Sequence, residues 1–261
     1  MFSIEDGSLA VEKNGRTWDA VSNPRKYKAF VGISNSQDFD EKWKASPAWI
    51  FANFAHIAYY DLDHINLCLN KFGFTVTFYD DSKGRQAFLA IDSDKAMLCF
   101  RGTEPSDIND LFDDVRISNP TNYEGATIHR GFLEATLSLM ERKGKVEGIE
   151  ADLKKLTNHK IYVTGHSLGA SMAIIAGITN HFDKIVTFGE PRVSGGIKLY
   201  EGNEDSHIRF VNGKDIVTTG IPETSSYKHH GIAENIPLVE NHGLLLGNLL
   251  DHSLKIRETE R

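Results

Sequence analysis

The chain has 261 residues, 40% of them hydrophobic and 25% charged, which excludes wholesale disorder and a fibrous architecture and predicts one sizeable core. A formal net charge of -7 argues against nucleic acid as a partner, because phosphate binding needs a basic face that releases counterions. The only cysteines, Cys68 and Cys99, sit in no C-x-x-C or Cys/His spacing, so neither a disulfide framework nor a metal site is expected and both read as core thiols.

The opening Met1-Phe2-Ser3-Ile4-Glu5-Asp6-Gly7 lacks a basic region followed by an apolar one, which makes a cytoplasmic location the default expectation. No apolar stretch approaches the ~18 residues of a spanning helix. Residues 1–45 are rich in charge and turn formers and read as an irregular N-terminal wrap or a short hairpin, so 1–261 is taken as a single domain. From Pro47 onward, Ile50, Phe51, Phe54, Ala55, Ile57 and Ala58 fall on one helical face. A second helix is expected over 62–71. Strands follow at 74–79, 87–92 and 95–100, with Asp81-Ser82-Lys83-Gly84 as a hairpin turn, so this part reads as antiparallel.

Residues 106–116 place Ile108, Leu111, Phe112 and Val115 at helical spacing, with Asp107, Asp110, Asp113 and Asp114 between them. That helix is either a lid over an acyl pocket or a fixed surface helix. After Gly131 the expected order is helix 132–142, helix 146–156, strand 160–164, helix 167–178 and strand 184–188. Helix and strand now alternate, as in parallel crossovers. A last helix-like stretch runs over 243–256, and no repeat or linker divides the chain.

The chemistry centres on Val163-Thr164-Gly165-His166-Ser167-Leu168-Gly169-Ala170, a G-x-S-x-G entered from an apolar strand and left into an Ala-rich helix. A tight strand-to-helix turn needs glycines two positions either side of a serine whose hydroxyl must stand clear of the sheet. The competing reading is that Ser167 only caps the helix. A serine nucleophile needs a base, and the base needs an acid, in the chain order serine, acid, histidine. Asp215 follows the apolar strand around Arg209-Phe210-Val211 and is the expected acid; Asp183 and Asp205 are weaker competitors. Spacing alone does not choose among His229, His230, His242 and His252. An oxyanion needs preorganised N–H donors. Leu168 supplies one, and Thr103, in Phe100-Arg101-Gly102-Thr103, is the expected second, a role compatible with capping the next helix.

Six motifs in order resemble the fungal-type class 3 triacylglycerol lipase family. They are Phe100 to Thr103, His129-Arg130-Gly131-Phe132, Val163 to Ala170, Phe188-Gly189-Glu190-Pro191-Arg192-Val193, Phe210 through Val217, and Asp251-His252. The resemblance implies an α/β-hydrolase fold: a mixed, mostly parallel central sheet flanked by helices, with a nucleophile elbow at the strand–helix turn. It implies a Ser167–Asp215–His252 triad, an oxyanion pair of Thr103 and Leu168, no cofactor, and neutral acyl esters as substrates at a lipid–water interface. His229 matches a family histidine that is usually structural, and ranks second as base. The chain departs from the family in carrying Leu111 and Phe112 where a lid tryptophan is common, and in lacking an aromatic residue over 254–256. It also lacks the disulfides of secreted members. A phospholipase-type or effector acyl hydrolase, or a catalytically silent fold that binds lipid or a partner, are the alternative expectations.

Overall fold

The computed structural model describes residues 4–5, 8–9, 11–13, 16–18, 29–30, 32–103, 120–141, 147–196, 206–212, 215–221, 223–224 and 227–236. Four short strands, β1 (Ile4–Glu5), β2 (Ser8–Leu9), β3 (Val11–Lys13) and β4 (Arg16–Trp18), form two antiparallel hairpins, β1 with β2 and β3 with β4. Helix α1 (Ser36–Ala45) follows, so the expectation of an irregular or hairpin segment throughout 1–45 is corrected there. Its apolar stripe is only Phe39 and Trp43, four residues apart in an otherwise charged stretch, and that thin pattern hides the helix in the sequence. Asn35 starts it, its side chain accepting from the Asp38 amide at 3.0 Å.

Helix α2 (Pro47–Ile57) has proline in its first turn, where the missing N–H costs nothing. The six residues assigned to its inner face are all buried. Helix α3 (Leu62–Asn70) is capped by Asp61, whose Oδ1 accepts from His64 N at 3.0 Å. Strands β5 (Thr75–Asp80), β6 (Gln86–Ile91) and β7 (Lys95–Phe100) form an antiparallel meander. Asp81 makes the expected hairpin turn, its Oδ1 accepting from the amides of Lys83 at 2.8 Å and Arg85 at 3.0 Å.

A small hairpin that the sequence reading missed, β8 (Pro120–Tyr123) with β9 (Ala126–His129), turns through positive φ at Glu124 and Gly125. Helices α4 (Arg130–Met140) and α5 (Ile149–Leu153) precede β10 (Lys160–His166), α6 (Leu168–Thr179), β11 (Lys184–Phe188), β12 (His207–Asn212), α7 (Ile216–Gly220) and β13 (Ile232–Ile236). The helix expected over 146–156 is only five residues long within the described part. Gly148 starts it, packed so closely on the backbone of Met140 and Glu141 that no side chain fits. The stretch 243–256 lies outside the described residues.

The seven-stranded sheet runs β13-β12-β11-β10-β7-β6-β5. From β7 through β13 the neighbours are parallel, and only the β5-β6-β7 edge is antiparallel. Both faces are covered. Ala96, Leu98, Phe100, Val163 and Ile185 point to the layer of α4, α5 and α6, while Met97, Cys99, Val186 and Phe188 point to the layer of α1 to α3. This alternation explains why the central strands read as continuous apolar runs. Helix α6 is buried on nearly all sides, as a helix sandwiched against a sheet must be. Cys99 and Cys68 are free thiols packed in the α1 to α3 layer; burial pushes the Cys68 thiol up to about 11 and Cys99 well above its usual range.

Burial pushes His56 of α2 down to about 4, while Tyr60 Oη lies 3.0 Å from its Nε2. The unfolded chain protonates this imidazole near 6.5 and the folded chain does not, so stability is lost as pH falls from about 6.5 to about 4. Urea unfolding at pH 7 and pH 4.5 checks this: His56→Gln should lose about 2 kcal/mol less than the parent between the two. An equal loss in both proteins would contradict it.

Candidate active site

Because β7, β10, β11 and β12 are parallel, the segments after their last residues all emerge at one edge of the sheet. Thr103 follows β7, Ser167 follows β10, Glu190 follows β11 and Asp215 follows β12. The chain order reverses direction at β10, whose neighbours are β7 on one side and β11 on the other, and open α/β sheets form their crevices at such a point.

Ser167 has φ 57 and ψ -123, a left-handed conformation that costs a residue with a Cβ on the order of 1–3 kcal/mol. Three glycines impose it. A Cβ on Gly165 would run into the backbone of Gly169 and Ala170, and one on Gly169 would strike the carbonyl of Phe100. A Cβ on Gly102 would strike the His166 carbonyl and Tyr59 Oη. The turn at Ser167 and the loop carrying Thr103 are therefore locked backbone to backbone, in both directions. The Ser167 amide extends the β-ladder by donating to Phe188 O at 3.1 Å, and its carbonyl accepts from Ala170 N at 3.0 Å. Strand ends and helix begins on this one residue.

Ser167 occupies the cap position of α6, yet its side chain makes no capping bond. It is wholly buried, and among the described residues its Oγ has no hydrogen-bond partner. The capping alternative thus loses its physical basis. Buried hydroxyls are rarely left unpartnered, and those that are mark reactive sites or bound groups. Leu168 is the first residue of α6, where backbone N–H groups lack partners in the helix and favour negative charge.

Tyr59 is a neighbour that the sequence reading missed. Its Oη lies 2.8 Å from His166 Nδ1, and Arg101 sits over its ring at 5.8 Å from the centroid. It joins the end of α2 to the elbow and to the Thr103 loop. The contact spans 107 residues of chain, so nothing local announces it.

Asp215 caps α7, is buried, and accepts from Val217 N at 2.8 Å through Oδ1. Asp183 precedes β11 and therefore stands at the opposite edge of the sheet from Ser167, accepting from Ile161 N at 2.8 Å. Asp205 lies outside the described residues. His229 Nε2 donates to Thr218 O at 2.8 Å and His230 Nε2 to Ser194 O at 3.0 Å. Burial, with the Arg209 charge adding to it, pushes His229 down to about 4. His242 and His252 lie outside the described residues, as do Ile108, Leu111 and Phe112 of the expected lid helix.

A second hydroxyl, imidazole and carboxylate meet at Thr187, His207 and Glu190, all buried. Thr187 Oγ1 donates to Glu190 Oε2 at 2.6 Å, and His207 Nε2 lies 3.0 Å from that same oxygen and 3.1 Å from Thr187 Oγ1. One ring nitrogen thus serves both partners, whereas a relay needs the two nitrogens on different partners. His207 Nδ1 has no partner among the described residues, and its ring lies where a Cβ on Gly231 would go. This is a structural ion pair. Burial pushes Glu190 up, but the His207 charge and hydrogen bond, the Thr187 hydroxyl and the Arg209 charge outweigh it and leave the carboxyl below its usual range. Among the described residues, no group of three or more His, Cys, Asp or Glu is placed to hold a metal ion, and no helix is long and apolar enough to cross a membrane.

The glycine lock predicts that Gly169→Ala costs about 2–3 kcal/mol by overpacking. Gly84→Ala, a positive-φ glycine with open space around it, should cost about 1 kcal/mol. Denaturant midpoints of both variants check the contrast, and equal losses would remove the argument for the lock.

Residues 97–225 match the lipase (class 3) family. A Saccharomyces cerevisiae protein is 34% identical over 166 residues, covering 50% of this chain and 49% of that one. The secreted mono- and diacylglycerol lipase of Malassezia restricta is 30% identical over 146 residues, covering 50% of this chain and 48% of its own. The chain thus spans about half the length of these relatives. The solved structure of the Rhizomucor miehei lipase propeptide complex superposes with a TM-score of 0.60 at 18% identity, covering 97% of this chain and 90% of that one, which shows the shared fold. The expected cytoplasmic location is corrected by these relatives: the Malassezia protein is secreted, and the default rested only on how the sequence begins. With the mixed sheet, the covered faces and the family match in agreement, the chain belongs to the class 3 lipase family of the α/β-hydrolase superfamily.

Proposed function

We propose that the chain is a single-domain serine hydrolase of carboxylic esters, acting on neutral acyl esters such as acylglycerols. The observation that carries this reading is Ser167: a serine held at positive φ after the central strand, with a buried Oγ that no described residue engages. Stored backbone strain and an unpaired hydroxyl are both costs to folding, and a nucleophile is what they serve.

In the proposed reaction Ser167 Oγ attacks the ester carbonyl carbon while His252 takes the hydroxyl proton. The carbonyl oxygen becomes an oxyanion, stabilised by the N–H groups of Leu168 and Thr103. The tetrahedral species collapses, the bond to the alcohol breaks, and His252 returns the proton to the leaving oxygen. Water, deprotonated by His252, then attacks the acyl-enzyme and releases the acid. Asp215 fixes the tautomer of His252 and stabilises its charged form. His252 is favoured over His229 because the Nε2 of His229 is committed to the Thr218 carbonyl and burial makes its ring a weak base. Since Ser167 is wholly buried, turnover requires an opening, and residues 104–116, with Ile108, Leu111 and Phe112 on one face, are the proposed lid.

Hydrolysis of a p-nitrophenyl ester series and of emulsified triglyceride checks the reading. Ser167→Ala and His252→Ala should each reduce kcat by about 10³-fold or more, with a folded circular dichroism spectrum. Full activity in Ser167→Ala would falsify the nucleophile, and a dead His229→Ala beside a live His252→Ala would reassign the base.

A further inference from the structure

We propose that Arg192 and His229 are positioning residues that clamp α7 from two sides and thereby hold the Asp215 carboxylate in place. The inference rests on the hydrolase reading given above, since it assigns its acid a support.

A helix of five residues cannot hold itself. Within α7, Val217 N donates to Asp215 Oδ1 at 2.8 Å and Thr218 Oγ1 to Asp215 O at 2.8 Å, so the position of the carboxylate follows that of the helix. The carbonyls leaving its C-terminal end are taken up by side chains from elsewhere. Arg192 Nη1 donates to Ile221 O at 2.6 Å and to Thr219 O at 3.4 Å. His229 Nε2 donates to Thr218 O at 2.8 Å. A cationic donor at the C-terminal end also complements the helix dipole.

The two arms are joined behind the helix. Ser194 O accepts from Lys228 N at 2.8 Å and from His230 Nε2 at 3.0 Å, which ties residues 190–194 to residues 227–230. Glu190 anchors the first of these segments in the core through His207 and Thr187. Asp215, α7, Arg192, Ser194, Lys228 and His229 thus close a ring of contacts that returns to α7. This gives Arg192 and the paired histidines a task that neither hydrolysis nor the core demands of them.

The test measures p-nitrophenyl butyrate hydrolysis from pH 5 to 9 by the full chain, at a temperature where each variant is folded. Arg192→Met and His229→Leu should each lower kcat by about 10- to 100-fold with KM within about twofold, and the conservative Arg192→Lys and His229→Gln should recover part of the loss. The direction of the pH limb separates positioning from charge. An imidazole that loses its carboxylate loses the charge that favours its protonated form, so the acid limb of kcat/KM should move to lower pH in both variants. Loss of the Arg192 cation acting only through space would move it to higher pH. Hydrogen exchange of the amides of residues 217–221 should quicken in both variants. Unchanged kcat, or an acid limb that stays put or rises, would overturn the clamp. If the parent protein and its variants all lack esterase activity, the hydrolase reading fails, and the exchange rates alone then decide whether the clamp exists.

Discussion

The elbow depends on three glycines whose α-carbons lie against backbone. Gly165 meets Gly169 and Ala170, Gly169 meets the carbonyl of Phe100, and Gly102 meets that of His166. These contacts leave Ser167 no conformation but a left-handed one, and they bring the end of β7 against the end of β10. The strain at one residue is sustained by burial of the central strands on both faces, where Val163, Leu98 and Phe100 pack on one side and Cys99, Met97 and Phe188 on the other. Local conformation, sheet order and core packing thus act on the same atom, the Ser167 oxygen.

Parallel strands then distribute the remaining groups. Everything that follows a strand from β7 to β12 arrives at one edge, so a hydroxyl, a backbone donor and a carboxylate from distant parts of the chain meet without any local signal between them. The polar groups at that edge divide by how they are engaged. Asp215 is tied to its own helix, His229 and Arg192 to the carbonyls of that helix, and Glu190 and His207 to each other in the core. Breaking the Glu190–His207 pair from one side would leave a buried charge uncompensated, and for that reason it reads as an anchor for the segment that carries Arg192.

The sequence was legible where structure is local. Glycines two residues either side of Ser167 describe the turn by themselves, Asp81 to Gly84 describe a hairpin, and the apolar face of α2 repeats at helical period. It was illegible where structure is not. Helix α1 carries only two apolar anchors, and β13 is an edge strand whose Ile232 is half exposed, so neither has a strong period. Tyr59 reaches His166 across 107 residues, and Arg192 reaches the Ile221 carbonyl across 29. Spacing alone could not choose a base among four histidines; the bond from His229 to Thr218 separates that ring from the others by what it donates to.

The account turns on whether the Ser167 hydroxyl is an activated nucleophile in the folded chain. Labelling with a fluorophosphonate, followed by mass spectrometry of the peptides, asks this without reference to any natural substrate. One adduct per chain, on the peptide that contains Ser167 and lost when the protein is denatured before labelling, is the result expected. An unlabelled Ser167 in well-folded protein, or an adduct on another serine that survives Ser167→Ala, would contradict the account.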